Sequence, residues 1–222
     1  MPGSASGSHS APPQPVSEDE LPVVLTARLG PKELTSWLQN RVRSLTEAWI
    51  HDLRARGMGS APGISDIVER FAELLVRLLP LMLGPHRDQI APIWDRTSEL
   101  YGAIAAKRGL AAGEAIEELH LLRELVIRDL YRDPPLGGNV PLSLREILRL
   151  NRSLDRAATH ASVGHTDSLF FEFFGSEGGK SLLSGHDVAS EASIQLEQIS
   201  SEVRSIVEHL VASSGASTEA EH

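Results

Sequence analysis

The side chains of this chain that could do chemistry are nine histidines and a spread of carboxylates, with no cysteine at all. Without cysteine there can be no disulfide, no thiolate nucleophile and no cysteine-ligated metal. Histidine and carboxylate could still hold a metal, but their spacing decides. A di-iron carboxylate bundle needs two Glu-x-x-His pairs, each presenting both ligands from one helix face. The expected helices hold a single such pair, Glu117-x-x-His120, while His51, His86, His160, His165, His186 and His209 are scattered. His160 and His165 lie five positions apart, which does not share a helical face well. No metal and no cofactor is expected. Gly178-Gly179-Lys180-Ser181 matches only the tail of a phosphate-binding loop, because Phe174 stands where the first glycine belongs and no buried strand precedes it. No Ser/His/Asp set or paired catalytic carboxylate can be drawn, so no catalytic residue is expected.

What remains is a polar group on one apolar stretch. His120, Arg123 and Glu124 sit beside its greasy face and are the candidate ligand- or signal-reading residues. Glu118, Arg123, Glu124 and Arg128 could form an ion-pair network there. It would be either surface support or a buried polar cluster that responds to a ligand or to pH.

That stretch, residues 110–131, must be a helix. Ile116, Leu119, Leu122 or Arg123, Val126, Ile127 and Leu130 fall on one face, with Glu117, Glu118, Glu124, Arg128 and Asp129 opposite. Leu121 and Leu125 spread the apolar surface onto the flanks, so neighbours are expected on most sides. Four further helices should surround it. The first runs from Pro31 to about Arg56 on Leu34, Trp37, Leu38, Val42, Leu45, Trp49 and Leu53. The second runs from Ile64 to Leu79, where Pro80 is expected to kink or end it. The third, 91–107, closes on Lys107, Arg108 and a C′ Gly109, and should lie antiparallel to the fourth. The fifth opens on a capping box, Ser143-Leu-Arg-Glu146, and should bury Leu144, Ile147, Leu150 or Asn151, Leu154, Ala158 and Ala161. It ends near Val163 or continues to Phe174.

Two apolar features lie beyond that interior. Phe170, Phe171, Phe173 and Phe174 either plug the open end of the bundle or form an exposed docking patch. Ala192, Leu196, Ile199, Val203, Ile206 and Leu210 step by 4, 3, 4, 3 and 4, an a/d heptad seam. So narrow a stripe suits one partner helix, either the same helix of a second subunit in a parallel dimer or the chain's own bundle. The expected organisation is therefore all-α: a globin-like or up-and-down bundle of about five helices followed by a heptad helix. Its parts are a disordered tail at 1–20, the bundle at 21–174, a Gly/Ser linker at 175–186, the heptad helix at 187–213 and a frayed tail at 214–222.

Bulk properties narrow the partners. The 222 residues allow one domain with tails, and the net charge of −9 argues against nucleic acid and against an anionic membrane surface. No basic leader or bilayer-length apolar run is present, so a cytoplasmic protein is expected.

Three segments together carry a family resemblance: Tyr101-Gly-Ala-Ile-Ala-Ala-Lys-Arg-Gly109, Ala115-Ile-Glu-Glu-Leu-His-Leu-Leu-Arg-Glu124, and Leu150-Asn-Arg-Ser-Leu-Asp-Arg-Ala157. Over about residues 32–165 the chain resembles the RsbRD-type N-terminal sensor domain, a globin-like helical module without haem that precedes output domains in stressosome and other bacterial signalling proteins. The resemblance implies a non-catalytic signalling module of the stress-response kind, which dimerises and contacts protein partners. The alternative is a globin-like sensor that holds haem or a small apolar ligand. The chain departs from the family plan after the linker, where only the heptad helix follows.

Overall fold

A computed structural model describes the backbone of residues 31–56, 64–135, 143–175 and 185–219, and side chains over most of these. Among the described residues the regular structure is six helices: α1 Pro31–Ala55, α2 Ile64–Leu83, α3 Arg87–Lys107, α4 Ala112–Arg132, α5 Leu144–Gly175 and α6 Gly185–Glu219. There is no strand among the described residues, and none of the helices is long and apolar enough to cross a membrane. The all-α expectation holds. The tail at 1–20 and most of the linker lie outside the described residues. α6 is helical to Glu219, running into the tail expected to fray at 214–222.

The most enclosed helix is α2, not the stretch at 110–131. Thirteen of the 20 residues of α2 are buried, against seven of the 21 in α4. α2 packs against α1, α3, α5 and α6, whereas α4 rests mainly on α5 and α1 and leaves Glu117, His120, Glu124 and Tyr131 in solvent. Pro80 does not end α2. It is buried inside the helix, which continues to Leu83. Proline's ring removes one donor to the preceding turn, and the helix runs on past it. At the end of α2, Arg149 Nη2 donates to the Leu83 carbonyl at 2.5 Å, meeting one of the acceptors a helix end leaves open. The same arginine pairs with the buried Glu146 carboxylate at 2.8 Å, so Glu146 is spent on Arg149 and not on the expected capping box. α3 starts a turn earlier than its sequence pattern suggests, at Arg87, with the His86 carbonyl accepting from the Ile90 N–H.

The tightest seam joins α3 to α5. Gly102 lies on the backbone of Ala161, and Gly164 on that of Glu99, so closely that a Cβ on either would overlap the opposite main chain. Around them the helices present Ser98, Ala105, Ala157 and Ala161, all buried. Ser98 and Thr97 turn their hydroxyls onto carbonyls of their own helix, Trp94 and Ile93, at 2.8 and 2.7 Å, so small polar side chains enter the seam satisfied. α3 therefore pairs chiefly with α5, and α4 is a minor neighbour in spite of the short joint between them.

That joint is a Schellman turn. Gly109 takes φ +81, Leu110 N–H donates to the Ala105 carbonyl and Gly109 N–H to that of Ala106. Only glycine adopts this conformation without strain, as expected for C′. At the start of α4, the Glu114 carboxylate reaches back to accept from the Ala111 N–H at 2.7 Å.

The aromatic centre consists of Trp49, Phe71, Trp94 and Tyr101, none more than 1% exposed. Tyr101 stacks on Trp49 with ring centres 6.0 Å apart and meets Phe71 edge-on at 6.1 Å. All three tryptophans donate their indole N–H to a distant backbone carbonyl: Trp37 to Asp133, Trp49 to Glu118 and Trp94 to Ser153, at 2.8, 2.8 and 3.1 Å. Each thus contributes apolar area and a cross-helix tie at once.

Gly102→Ala should cost several kcal/mol and leave little folded protein, because the clash is with main chain that cannot swing aside. Gly113→Ala, in the first turn of α4 with open space around it, should instead be neutral or stabilise by up to about 1 kcal/mol. Chemical denaturation of the two variants beside the parent checks both signs.

Candidate functional site

The buried polar cluster anticipated from the sequence exists, with different members. Glu118 had been placed on the outer face of its helix. It is 4% exposed. It follows Ala115 by three positions and precedes Leu122 by four, which is a core position of α4. Its carboxylate is held bidentately by Arg108, with Nη1 at 2.8 Å from one oxygen and Nη2 at 2.7 Å from the other. The Tyr101 hydroxyl donates to the same carboxylate at 2.6 Å, and the Trp49 indole donates to the Glu118 carbonyl. One residue of α4 thereby ties down α1, α3 and the α3–α4 joint. The side chains of Arg108 and Glu118 are 3% and 6% exposed, so the pair is effectively dry.

Burial, followed by the Glu118 charge, pushes the Tyr101 phenol well above its ordinary value, so it stays a hydrogen-bond donor. Burial works against the Arg108 charge, but the hydrogen bonds and charge of Glu118 outweigh it and raise the guanidinium further. Arg108 Nε is buried without a hydrogen-bond partner, a cost the fork-to-fork contact offsets. Chemically the arrangement clamps helices. Its acceptor atoms are already engaged, and desolvation favours the protonated phenol.

His165, on α5, locks the same corner from the other side. It is 4% exposed and its Nε2 lies 2.7 Å from the Leu110 carbonyl, which fixes the proton on that nitrogen. A second cluster bridges α3 and α5. Arg156 takes Asp95 bidentately at 2.5 Å, while the His160 ring sits 2.7 Å from Glu99 and 3.3 Å from Asp95.

The three residues nominated from the sequence do not come together. His120 and Glu124 are exposed on the solvent side of α4. Arg123 is half-buried and pairs with Asp155 of α5, its Nε buried without a hydrogen-bond partner. Sequence reasoning missed Tyr101, Arg108, His165 and Trp49. One signal was legible: a glutamate at an apolar step, with an arginine at the end of the preceding helix, across a joint too short to part them.

The heptad seam is occupied by the chain itself. Ala192, Leu196, Ile199 and Val203 are 3%, 1%, 3% and 5% exposed, packed on α2 and α3, and Ile206 is partly buried. In this fold these residues are not open to a second subunit, because the interior of α2 and α3 offers the single partner face that so narrow a stripe requires. The side chain of Leu210 lies outside the described residues. Of the phenylalanines, Phe170 and Phe171 are 56% and 72% exposed and meet edge to face at 6.2 Å. They do not plug the bundle. The side chains of Phe173 and Phe174 lie outside the described residues.

One shallow groove, about 290 Å³, lies between α1, α2 and α6, lined by Gln39, Val42, Arg77, Pro80, Leu81, Val203 and Val207. It is at the small end for ligand pockets, and its lining offers a haem no imidazole. Comparison of the chain with family models, curated proteins and solved structures finds no match.

Glu118→Leu strands Arg108 in a dry interior and should cost about 3–5 kcal/mol. Arg108→Met with Glu118→Leu should recover much of that loss, as a double-mutant denaturation cycle would show. A phenol raised in the folded state contributes stability that is whole below its unfolded value near pH 10 and is lost as pH rises through the folded one. In a Tyr131→Phe background, where Tyr101 is the sole tyrosine, phenolate absorbance should therefore appear well above pH 10 and together with loss of helicity.

Proposed function

We propose that this chain is a non-catalytic signalling module of the stress-response kind, acting in the cytoplasm through contacts with other proteins. The observation that carries the reading is the contrast between the interior and the end of α5. The buried polar groups of the centre, Glu118, Arg108, Tyr101 and His165, are engaged with one another or with backbone. Phe170 and Phe171, on the last turns of α5, are 56% and 72% exposed. Two adjacent exposed phenylalanines on a helix are apolar surface that a monomer gains by covering. The resemblance of residues 32–165 to the RsbRD-type sensor domain supports the same assignment and adds the expectation of a homodimer and of protein partners in a signalling pathway.

Phe170→Ser with Phe171→Ser tests this. Both positions are exposed, so helicity and stability should stay within about 0.5 kcal/mol of the parent. Partner proteins cross-linked to the parent chain in cells should be lost with the double variant. Retention of the same partners would remove the α5 end from the contact.

A further inference from the structure

α6 differs from the other five helices in how it is held. The polar locks of the interior join α1, α3, α4 and α5: Trp49 to Glu118, Tyr101 and Arg108 to Glu118, Trp94 to Ser153, His165 to Leu110. None of these involves α6. Its polar ties among the described residues are Arg70 to Ser193 at 2.6 Å, Arg70 to Glu197 at 3.0 Å, and Arg96 to Glu202. The ion-paired side chains are 40% to 69% exposed, and pairs of that kind hold weakly and are screened by salt. Among its described side chains, those buried on the bundle form a line of four, Ala192, Leu196, Ile199 and Val203, one of them an alanine. The fit loosens along the helix. Val203 is still buried, Ile206 and Val207 are only partly so, and the groove bounded by Val42, Pro80 and Leu81 opens at that point.

We propose that α6 is a releasable strap, which leaves the bundle as a unit while α1 to α5 stay closed, and that the released seam pairs with the α6 of a second copy. Release frees a stripe at a and d spacing, with Leu196 and Val203 at a and Ala192, Ile199 and Ile206 at d. The flanking positions do not oppose a like helix. Ser193, Gln195 and Ser200 are neutral, and Glu202 is the single charge among the four. The docked and paired states bury the same stripe and so exclude each other. The screened ion pairs set the balance between them. This inference rests on the reading of the chain as a contact-making module only for what the release serves. The opening itself is a property of the fold.

The chain has no cysteine, so each introduced thiol is the sole one. The experiment compares Ile199→Cys, on the strap, with Leu122→Cys, in the centre of α4, by their rates of reaction with an aromatic disulfide under native conditions. Each rate is set against that variant's own unfolding equilibrium from denaturant titration. Ile199→Cys should react at least tenfold faster than its global unfolding allows, and faster again in high salt or with Arg70→Glu plus Arg96→Glu. Leu122→Cys should react no faster than global unfolding permits. Mild oxidation should then link two copies of the Ile199→Cys variant, the link being lost when Leu196→Asp is added. If the strap thiol reacts only as fast as global unfolding allows, the strap is wrong. Fast reaction without a link between copies overturns pairing with a second α6. Neither outcome touches the Phe170 and Phe171 test.

Discussion

The main-chain contact between α3 and α5 is the constraint on which the rest of this bundle depends. Gly102 and Gly164 let two helices meet backbone to backbone, and the alanines and small hydroxyls around them keep the helices parallel to that contact for several turns. Close-packed interiors tolerate little change in volume. Once α3 and α5 are drawn together, the larger side chains must go elsewhere. They go to the other side of α3, where Trp49, Phe71 and Tyr101 fill the space toward α1 and α2. The wide apolar face of α2 follows from this, because it must cover that aromatic layer while also receiving α6.

Polar chemistry in the interior serves the same end. Glu118 brings a charge into the core, which water would strongly favour keeping out. The charge is tolerated because Arg108 arrives in fork geometry and Tyr101 adds a third donor. The partners are positioned by the Schellman turn at Gly109, which sets Arg108 at the helix end facing the start of α4. His165 then fixes the turn from α5. The cluster thus converts a flexible joint into a fixed corner. A buried ion pair of this kind is a weak source of net stability, because desolvation offsets much of its Coulombic gain.

Much of this was legible in the sequence, and what was not has physical causes. The all-helical class, the start of α1 at Pro31 and the C′ role of Gly109 follow from periodicity and backbone preference, which are local. The seam of Leu196, Ile199 and Val203 was legible as a narrow stripe, but its partner was not, because a heptad pattern specifies a helix face and not whose helix lies against it. As a stop for α2, Pro80 misled for a related reason. Its local cost is real, yet a helix buried on nearly all sides is held by its neighbours. His120, Arg123 and Glu124 were nominated by proximity in sequence, whereas the buried cluster is assembled across a turn from Tyr101, Arg108 and Glu118, and such pairing depends on how two helices leave a joint.

The α3–α5 seam also bears on how the chain is made. Asp95 and Arg156 are 61 residues apart in sequence and in direct contact in space. During synthesis α3 therefore emerges from the ribosome long before the helix that covers its glycine face. α1, α2 and α3 can already pack on one another, but the glycine face of α3 has no partner until α5 is made. That face is open to other chains in the meantime, and closing the bundle waits on α5 and then on α6, which packs on α2 and α3.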